Sequence, residues 1–289
     1  MIAKKISALL LSAIALFSAS ACTQQTASEP GSKLPVTGNV TVTAFNVGKA
    51  DALVVQTQNT VTVIDAGNKG DGKKIEKFLT NQGIETIDNL IITHFDKDHV
   101  GGAARVINRM KVSNVYVPDY TAESDEYNSF IEKIDETQTP LTAMAAKSKT
   151  EWTADDASFT LYAPQETFYG KDEENDFSLV LYVQHGSNTM LFAGDAENAR
   201  QKEIMELKLG NVDFLKFPYH GNYMATTEDF LDACKPKATV ICCSEKENAD
   251  PSTVETLQKR GIETYYTYQG NVTVISDGKA LQCEQNADD

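Results

Sequence analysis

The sequence is poor in histidine, cysteine and positive charge. Its 289 residues include four histidines, five cysteines, and 26 lysines and arginines against 41 aspartates and glutamates, which gives a formal net charge of −15. Such a surface repels polyanions, so the composition argues against a broad basic patch for nucleic acid and against binding to anionic membrane surfaces. The cysteines show no CxxC spacing, and a local site around a bound metal stays open.

The remaining composition is that of a globular protein. Hydrophobic residues make up 41% and charged residues 23% of the chain. Its 289 residues are enough for one large domain or two small ones. No linker interrupts residues 39–289, so we expect one domain there. Cys242 and Cys243 lie in the apolar run ATVICCS, which favours burial in the core.

The first 38 residues have the features of an export signal and a tether. A basic start, MIAKK, precedes the apolar run ISALLLSAIALF and the small residues that end at Cys22, which predicts an export signal over residues 1–22 with lipid attachment at this cysteine. Ala19 stands where a lipobox usually has leucine, so cleavage nearby or an uncut anchor are alternatives. Residues 23–38 read as a polar linker. The protein is then a bacterial cell-surface or periplasmic lipoprotein held to the membrane by its lipid anchor, or it is secreted.

From about residue 39, short β-rich runs alternate with helical ones. VTVTAFNV, ALVVQT and TVTVIDAG predict three strands, DGKKIEKFLTNQG a helix, NLIIT a strand and HVGGAARVINRM another helix. A second half continues in the same style from SFTLYAP to NVTVISDG. The pattern predicts an α/β (α+β) fold in which two mixed sheets pack together with helices on their outer faces.

Two of the four histidines lie in the segment HFDKDH, directly after the strand NLIIT. It contains His94, Asp96, Asp98 and His99, and imidazole with carboxylate is a ligand set that suits zinc, manganese or iron. Loops at strand ends commonly carry the chemistry of α/β folds. The alternative is that His94 caps the helix, Asp96 and Asp98 are its N-terminal acids and His99 is a satisfied polar residue, but this gives no reason for two histidines. We therefore predict a metal site here.

The segment resembles the HxHxDH signature of the metallo-β-lactamase fold, in the HxDxDH form typical of the soluble domain of ComEC-type competence proteins. Gly101 and Gly102 follow it as a GG commonly does in that family, and FNVGKADALVV, VIDAG, NDFSLVL and FAGDAE resemble further family motifs. The resemblance covers most of residues 39–280. It implies a four-layer αββα sandwich with one or two metals at the sheet edges, and hydrolysis.

The resemblance also implies roles for particular residues. His94 and Asp96 would hold one metal, Asp98 and His99 would face a second, and Asp195 of GDAE would bridge them, although it could instead be a turn residue. Asp98 would also orient the metal-bound hydroxide and accept its proton.

Three further residues would lie behind or beside the metals. Asp65 of VIDAG would orient a ligand or the metal-bound water, and Asn175 and Ser178 would lie near the site. Ordinary turn and strand positions are the alternative for all three.

Two motifs depart from the family pattern. Tyr219, His220, Gly221 and Asn222 stand where these domains commonly read HHGS, so His220 alone remains as a ligand candidate. Asp250 stands where a histidine is frequent, and it either ligates a metal or caps the helix PSTVETLQKRG. More oxygen and less nitrogen favour harder ions.

The expected function is metal-dependent hydrolysis by activated water. The family analogy favours phosphodiesters, including DNA or nucleotides, with one or two divalent ions, Zn or Mn above all. A non-catalytic binding lipoprotein and a hydrolase of lactones or β-lactams are the alternatives. The sequence indicates no protein partner. Lys216 could add local positive charge, although a solvated lysine is the default interpretation.

Overall fold

The computed structural model describes residues 38–170 and 174–286. The predicted export signal, the lipid attachment at Cys22 and nearly all of the linker fall outside these residues, so the division at residues 22 and 38 stays a prediction. None of the helices in the described ranges is long and apolar enough to cross a bilayer.

Fifteen strands form two mixed sheets in the described part of the chain. The first has the order β15-β14-β1-β2-β3-β4-β5-β6 and the second the order β13-β12-β11-β10-β9-β8-β7. The strands, in chain order, are β1 Val40–Ala44, β2 Ala52–Gln56, β3 Val61–Ala66, β4 Thr86–Ile91, β5 Lys111–Pro118, β6 Leu141–Met144, β7 Lys149–Ala154, β8 Ala157–Tyr162, β9 Val180–His185, β10 Asn188–Phe192, β11 Phe214–Lys216, β12 Ala238–Ile241, β13 Glu263–Tyr266, β14 Asn271–Ser276 and β15 Leu281–Asn286.

In the described ranges, seven α-helices cover the outer faces, and most show an apolar side at helical spacing. Ile75 and Leu79 are buried four residues apart on α1, as are Phe130 and Ile134 on α4, whose N-cap Ser124 accepts a hydrogen bond from the amide of Tyr127 at 3.1 Å. The helices are α1 Gly72–Asn81, α2 Lys97–Val100, α3 Ala103–Arg109, α4 Asp125–Thr137, α5 Asn198–Glu206, α6 Thr227–Cys234 and α7 Pro251–Lys259.

In the described residues, three apolar cores lie between successive layers of the fold. The first lies between the first sheet and α1, α3 and α4. The second contains the apolar residues of the two facing sheets, and the third lies between the second sheet and the helices α5 to α7. The predicted αββα sandwich is confirmed. Cys242 and Cys243 are fully buried, as expected.

The sheets differ from the two halves of the sequence in one respect. β14, from the run NVTVISDG in the second half of the sequence, belongs to the first sheet, where it pairs antiparallel with β1, and β15 pairs with β14. The sequence pattern also predicted no elements over residues 111–156, where the structure has β5, α4, β6 and β7. The strands β6 and β7 are mostly exposed and rich in polar residues, so they lack the apolar signal of a buried strand.

The predicted helix HVGGAARVINRM is wrong as a single helix, because α2 and α3 are separate. The amide of Gly102 donates to the carbonyl of Gly67 at 3.0 Å, so the loop after β4 lies directly against the loop after β3. A Cβ on Gly102 would come within 2.1 Å of the carbonyl oxygen of Ala66. The glycine pair thus permits a backbone contact that brings two strand-end loops together.

Parallel pairing places several loops at shared sheet edges. The strands β3, β4, β5 and β6 are parallel, as are β10, β11, β12 and β13. Their carboxyl ends therefore point the same way within each sheet. The loops after β3 and β4 and those after β10 and β11 carry the polar residues described next.

Candidate metal centre

The loop after β4 supplies two buried histidines. The imidazoles of His94 and His99 are fully buried, and their ring centroids lie 4.0 Å apart. Asp98, on the short helix α2, has a side chain 22% exposed. Asp96 lies further out, with 43% of its side chain exposed and its Oδ2 atom 3.7 Å from His94 Nε2. The loop thus presents both imidazoles and one carboxylate inward and keeps Asp96 at the rim.

Asp65, at the end of β3, fixes this loop from behind. Its carboxylate accepts hydrogen bonds from the amide and the hydroxyl of Thr93, both at 2.7 Å, and its Oδ2 atom lies 2.9 Å from His99 Nδ1. Asp65 is fully buried and has a φ of 56°, a conformation that costs energy in a non-glycine residue. A carboxylate on Nδ1 sets the tautomer of His99 that leaves Nε2 as the ligand atom.

Asp195 enters from the second sheet, in the turn after β10. Its carboxylate is buried, and its Oδ2 atom lies 3.3 Å from His99 Nε2 and 3.0 Å from His220 Nε2. Its amide donates to the hydroxyl of Ser178 at 3.1 Å. Ser178 therefore holds the turn that carries Asp195, which places one carboxylate oxygen between two histidines.

His220 follows β11 in a strained turn. Tyr219 and His220 have φ values of 51° and 52°, so two consecutive non-glycine residues adopt the left-handed conformation. Gly221 continues it with a φ of 84°, and a Cβ there would lie 2.6 Å from the Cβ of Ala249. His220 Nδ1 donates to the carbonyl of Cys242 at 2.8 Å. This geometry directs Nε2 toward Asp195 and Asp98.

The histidines and carboxylates of the described residues form four overlapping groups, each of three potential metal ligands. In each group the ligand atoms lie within 4.8 Å of one another. Across the described residues Asp96 and Asp250 belong to none of these groups, although Asp96 Oδ2 lies 3.7 Å from His94 Nε2, so the assignment of His94 and Asp96 to one metal stays a prediction. The groups are His94, His99 and Asp195; Asp98, His99 and His220; Asp51, Asp195 and His220; and Asp51, Asp65 and His99.

The donor set fits a divalent metal. Within residues 38–170 and 174–286, the buried Nε2 atoms of His94, His99 and His220 have no hydrogen-bond partner. A buried polar atom without a partner costs free energy. A metal ligand must keep such a lone pair free, and imidazoles with carboxylates are suitable ligands for zinc or manganese.

The electrostatics of the centre couple its acids to its bases. Burial alone would lower the pKa of His99, but the carboxylates of Asp195 and Asp65 raise it well above the usual value. Against the same effect of burial, Asp195 and Asp98 raise the pKa of His220 to about 9. Burial alone would raise the pKa of Asp195, but the two imidazoles and a nearby ammonium lower it well below the usual value. These shifts favour the charged forms of the imidazoles and of the Asp195 carboxylate, and a divalent cation would compete with the imidazole protons for the same site.

Sequence reasoning missed two residues of the centre. Asp51, just before β2, is buried. Its amide donates to the carbonyl of Asp98 at 3.1 Å, and its own carbonyl accepts from the amide of Gly67 at 2.7 Å. Lys216, interpreted above as a solvated lysine, is instead 1% exposed and pairs with Asp51 and Asp195. That interpretation is wrong: a charged residue in the apolar run FLKF needs a buried partner, and this signal could have found it.

Two of the sequence candidates serve the surrounding structure. Asp250 is the N-cap of α7, and its Oδ1 atom accepts from the amide of Ser252 at 2.9 Å, so capping is its observed role. Asn175 donates from Nδ2 to Glu197 Oε1 at 2.7 Å. This contact ties the segment before β9 to the turn that carries Asp195.

An acidic cleft of about 460 Å³ adjoins the centre. Asp98 links the two, because its carboxylate both borders the cleft and lies 3.3 Å from His220 Nε2. The charged groups of the lining are five carboxylates and one ammonium: Asp96, Asp98, Glu123, Glu126, Glu174 and Lys97.

Comparison with known families places this centre in context. The profile of the metallo-beta-lactamase superfamily matches residues 46–245, more than half of the chain. The chain belongs to this superfamily. The superfamily's fold holds one or two divalent metals, and the four groups provide candidate ligands for them. The similarity to the ComEC-type competence proteins is also confirmed by the curated relatives.

Two curated relatives illustrate the range of the similarity. ComE operon protein 3 of Bacillus subtilis is 26% identical over 202 residues, which are 68% of this chain and 25% of that protein. Exodeoxyribonuclease WalJ of Streptococcus pneumoniae is 30% identical over 155 residues, 52% of this chain and 55% of that protein. The chain thus spans about a quarter of the length of the first relative and about half of the second.

Solved structures share the fold at low identity. The metallo-beta-lactamase fold protein YhfI of Bacillus subtilis superimposes with a TM-score of 0.52 and 12% identity, covering 86% of this chain and all of its own. A metallo hydrolase from the archaeon Ignicoccus hospitalis gives a TM-score of 0.50 and 17% identity, with coverage of 81% and 98%. At such identities the likeness concerns the fold.

Proposed function

We propose that this protein is a metal-dependent hydrolase of phosphodiesters, of the nuclease type. The observation that carries the proposal is the convergence of the buried Nε2 atoms of His94, His99 and His220 on the carboxylates of Asp98 and Asp195. Protein hydrogen bonds do not satisfy those nitrogens in the described residues. The similarity to an exodeoxyribonuclease and to competence proteins supports phosphodiesters as the substrate class.

Each residue has a role that follows from its position. His94, His99, Asp195 and His220 would hold the metal, and Zn or Mn suits this mixture of imidazole and carboxylate. When bound, such an ion lowers the pKa of its water and stabilises charge on the attacked phosphate. Asp98 reaches both His220 and the solvent-filled cleft, so it is placed to orient the water and to accept its proton.

The acidic cleft favours short substrates. The five carboxylates of its lining against one ammonium repel a polyanion, and each further phosphate on the substrate adds to that repulsion. We therefore propose that nucleotides, small diesters or single ends of DNA fit better than a long duplex. Binding along an extended DNA groove would need a basic stripe.

The test measures metal content and hydrolysis together. Wild-type protein loaded with Zn²⁺ or Mn²⁺ and desalted is analysed by elemental mass spectrometry, then assayed with bis(p-nitrophenyl) phosphate and a labelled single-stranded oligonucleotide. We expect one to two equivalents of metal, loss of turnover in EDTA, and a fall of about 10²–10⁴ in kcat for Asp98→Asn.

Other results would identify the alternatives. Bound metal with turnover of a lactone or β-lactam panel, but of no diester, would make the protein a hydrolase of a different class. Absence of stoichiometric metal would contradict the hydrolase and support a non-catalytic binding lipoprotein.

We also propose export and lipid attachment at Cys22. The support is the order of basic start, apolar run and small residues that ends at this cysteine. A tagged protein expressed in a bacterium that carries out lipidation should incorporate labelled palmitate and sediment with membranes. Cys22→Ser should remove both properties, and an unlabelled wild-type protein in the medium would instead indicate secretion.

A further inference from the structure

The ammonium of Lys216 lies inside the candidate metal centre with a full set of acceptors. Its Nζ atom donates to the carbonyl of Gly194 at 2.9 Å and to Asp195 Oδ1 at 3.2 Å, and it forms an ion pair with Asp51 Oδ2. An ammonium has three N–H donors, so each of them has a partner. The side chain is 1% exposed, which fixes this cation in the site.

Lys216 limits what Asp195 can offer to a metal. Its ammonium holds Oδ1 of this carboxylate, whereas Oδ2 lies 3.3 Å from His99 Nε2 and 3.0 Å from His220 Nε2. Only Oδ2 is therefore directed at the two imidazoles. A metal on either side would meet the same single oxygen.

Lys216 also withholds one oxygen of Asp51. Oδ2 of this carboxylate pairs with the ammonium, and Oδ1 lies 3.6 Å from His220 Nδ1. That nitrogen already donates to the carbonyl of Cys242. In the described residues Asp51 Oδ1 accepts no hydrogen bond, so Lys216 leaves this carboxylate one free oxygen, as it does that of Asp195.

The negative charges of the buried aspartates explain why the centre contains the ammonium of Lys216. Asp51, Asp65 and Asp195 are buried together, and Asp98 adjoins them. Buried like charges without a counter-charge destabilise a fold. Lys216 offsets part of this charge before any metal binds, but it then repels a divalent cation that enters the same centre.

We propose that Lys216 is a resident counter-ion and positioning residue that leaves Asp51 and Asp195 one free carboxylate oxygen each and lowers the affinity of the centre for divalent metal. The inference rests on the proposed metal centre. It adds that Lys216 weakens metal binding and in return stabilises the folded site in the absence of metal.

The experiment compares the metal affinity of wild type with that of Lys216→Met. Metal-free protein is titrated with Zn²⁺ or Mn²⁺ alone against a fluorescent chelator, and the melting temperature is measured with and without the ion. We expect Lys216→Met to bind at least about tenfold more tightly, because a like charge within a few ångströms of the ion is removed. Its metal-free melting temperature should fall, and the rise on adding metal should exceed that of wild type.

Three variants separate charge from packing. Lys216→Arg keeps the charge and should bind within about threefold of wild type. The double variant Lys216→Met/Asp51→Asn removes one charge of each sign and should also bind within about threefold. Lys237→Met serves as the matched control, because this lysine is 80% exposed and pairs with Asp213; its metal affinity should not change.

The metal affinities of these variants distinguish a counter-ion from a packing role for Lys216. If Lys216→Met binds metal no more tightly than wild type, the role of Lys216 as a counter-ion is overturned. A lysine needed only for packing would lower the melting temperatures of the metal-free and the metal-loaded protein equally. Loss of metal from the double variant would show that Asp51 binds the ion directly and that charge alone does not set the affinity, which overturns the counter-ion. If Lys216→Met fails to fold without metal, the double variant and Lys216→Arg carry the same comparison. Failure of wild type to bind either ion would overturn the metal centre and the inference with it, whereas bound metal with unchanged Lys216→Met affinity sinks the inference alone.

Discussion

Histidines in contrasting surroundings lie near the two ends of strand β10. Before the strand begins, His185 Nδ1 lies 2.8 Å from the hydroxyl of Ser276, and Nε2 lies 3.3 Å from Asp156 Oδ1. Beyond its other end, Asp195 meets His99 and His220. Both regions bury imidazole against carboxylate, but in the described residues no group of three ligand-type side chains includes His185.

The difference shows what separates a structural histidine from a ligand. At the His185 end, Asn188 donates to the same hydroxyl at 2.7 Å, so hydroxyl, amide and imidazole link the β9–β10 hairpin to the end of β14. His185 Nε2, like the Nε2 atoms of the candidate centre, has no hydrogen-bond partner in the described residues, so an unpartnered nitrogen by itself does not identify a ligand. At the other end three imidazoles and several carboxylates lie close enough together to form groups of three potential ligands, which His185 and Asp156 do not. Burial of a histidine beside an aspartate is therefore insufficient to identify a metal site.

The largest expected effect comes from removing a histidine at each end. His99→Ala should lower metal affinity by more than the roughly 10–100-fold that loss of an outer partner costs, because His99 belongs to three of the four groups. His185→Ala should leave metal content unchanged and cost about 1–3 kcal/mol of unfolding free energy. Elemental mass spectrometry and urea denaturation measure the two quantities. Metal loss in His185→Ala would break the comparison.

A second substitution tests the support behind the ligands. Asp65→Asn should weaken metal binding by about 10–100-fold, because the carboxylate that fixes the tautomer of His99 is lost. Asp88→Asn is the matched control: its carboxylate accepts from the amide of Val61 at 2.8 Å, where β3 begins. A chelator competition assay compares them, and equal affinities for Asp65→Asn and wild type would contradict the role of Asp65.

Ser178 offers a finer test of the same end of the strand. Its hydroxyl accepts from the amide of Asp195, and one such hydrogen bond is worth about 1 kcal/mol. Ser178→Ala should therefore weaken metal binding by about fivefold. An effect as large as that of His99→Ala would instead indicate that Ser178 takes part in binding directly.

The smallest expected effect concerns the acidic cleft. Glu123→Gln/Glu126→Gln removes two of its negative charges and should raise oligonucleotide cleavage on the order of threefold at 10 mM salt, where the Debye length is about 30 Å. Turnover of bis(p-nitrophenyl) phosphate should change little. Glu132→Gln/Glu136→Gln makes the same charge change elsewhere on α4, and an equal gain there would show that net charge, rather than the cleft, controls the rate.

Some parts of the site were readable because their signals are local. The segment HFDKDH directly after an apolar strand identified His94 and His99, and the turn FAGDAE identified Asp195, while the capping alternative for Asp250 could be stated from the proline that follows it. How the candidate ligands group was not predictable: His220 Nε2 lies 3.3 Å from Asp98, while Asp96 lies at the rim, 3.7 Å from His94 Nε2, and the assignment of ligands to individual metals stays a prediction. That arrangement depends on how two loops face each other across the sandwich.

The sequence by itself determined the layered α/β architecture and predicted a metal site in the strand-end loops with the histidines that would supply it, because periodicity and residue type act over a few neighbouring positions. Only the tertiary structure decided that Lys216 and Asp51 belong to the centre. Lys216 lies on β11 of the second sheet and Asp51 directly before β2 of the first, and their contact depends on the packing of the sheets. Charge interactions inside a fold depend on distance and burial, and neither is encoded in the spacing of residues along the chain.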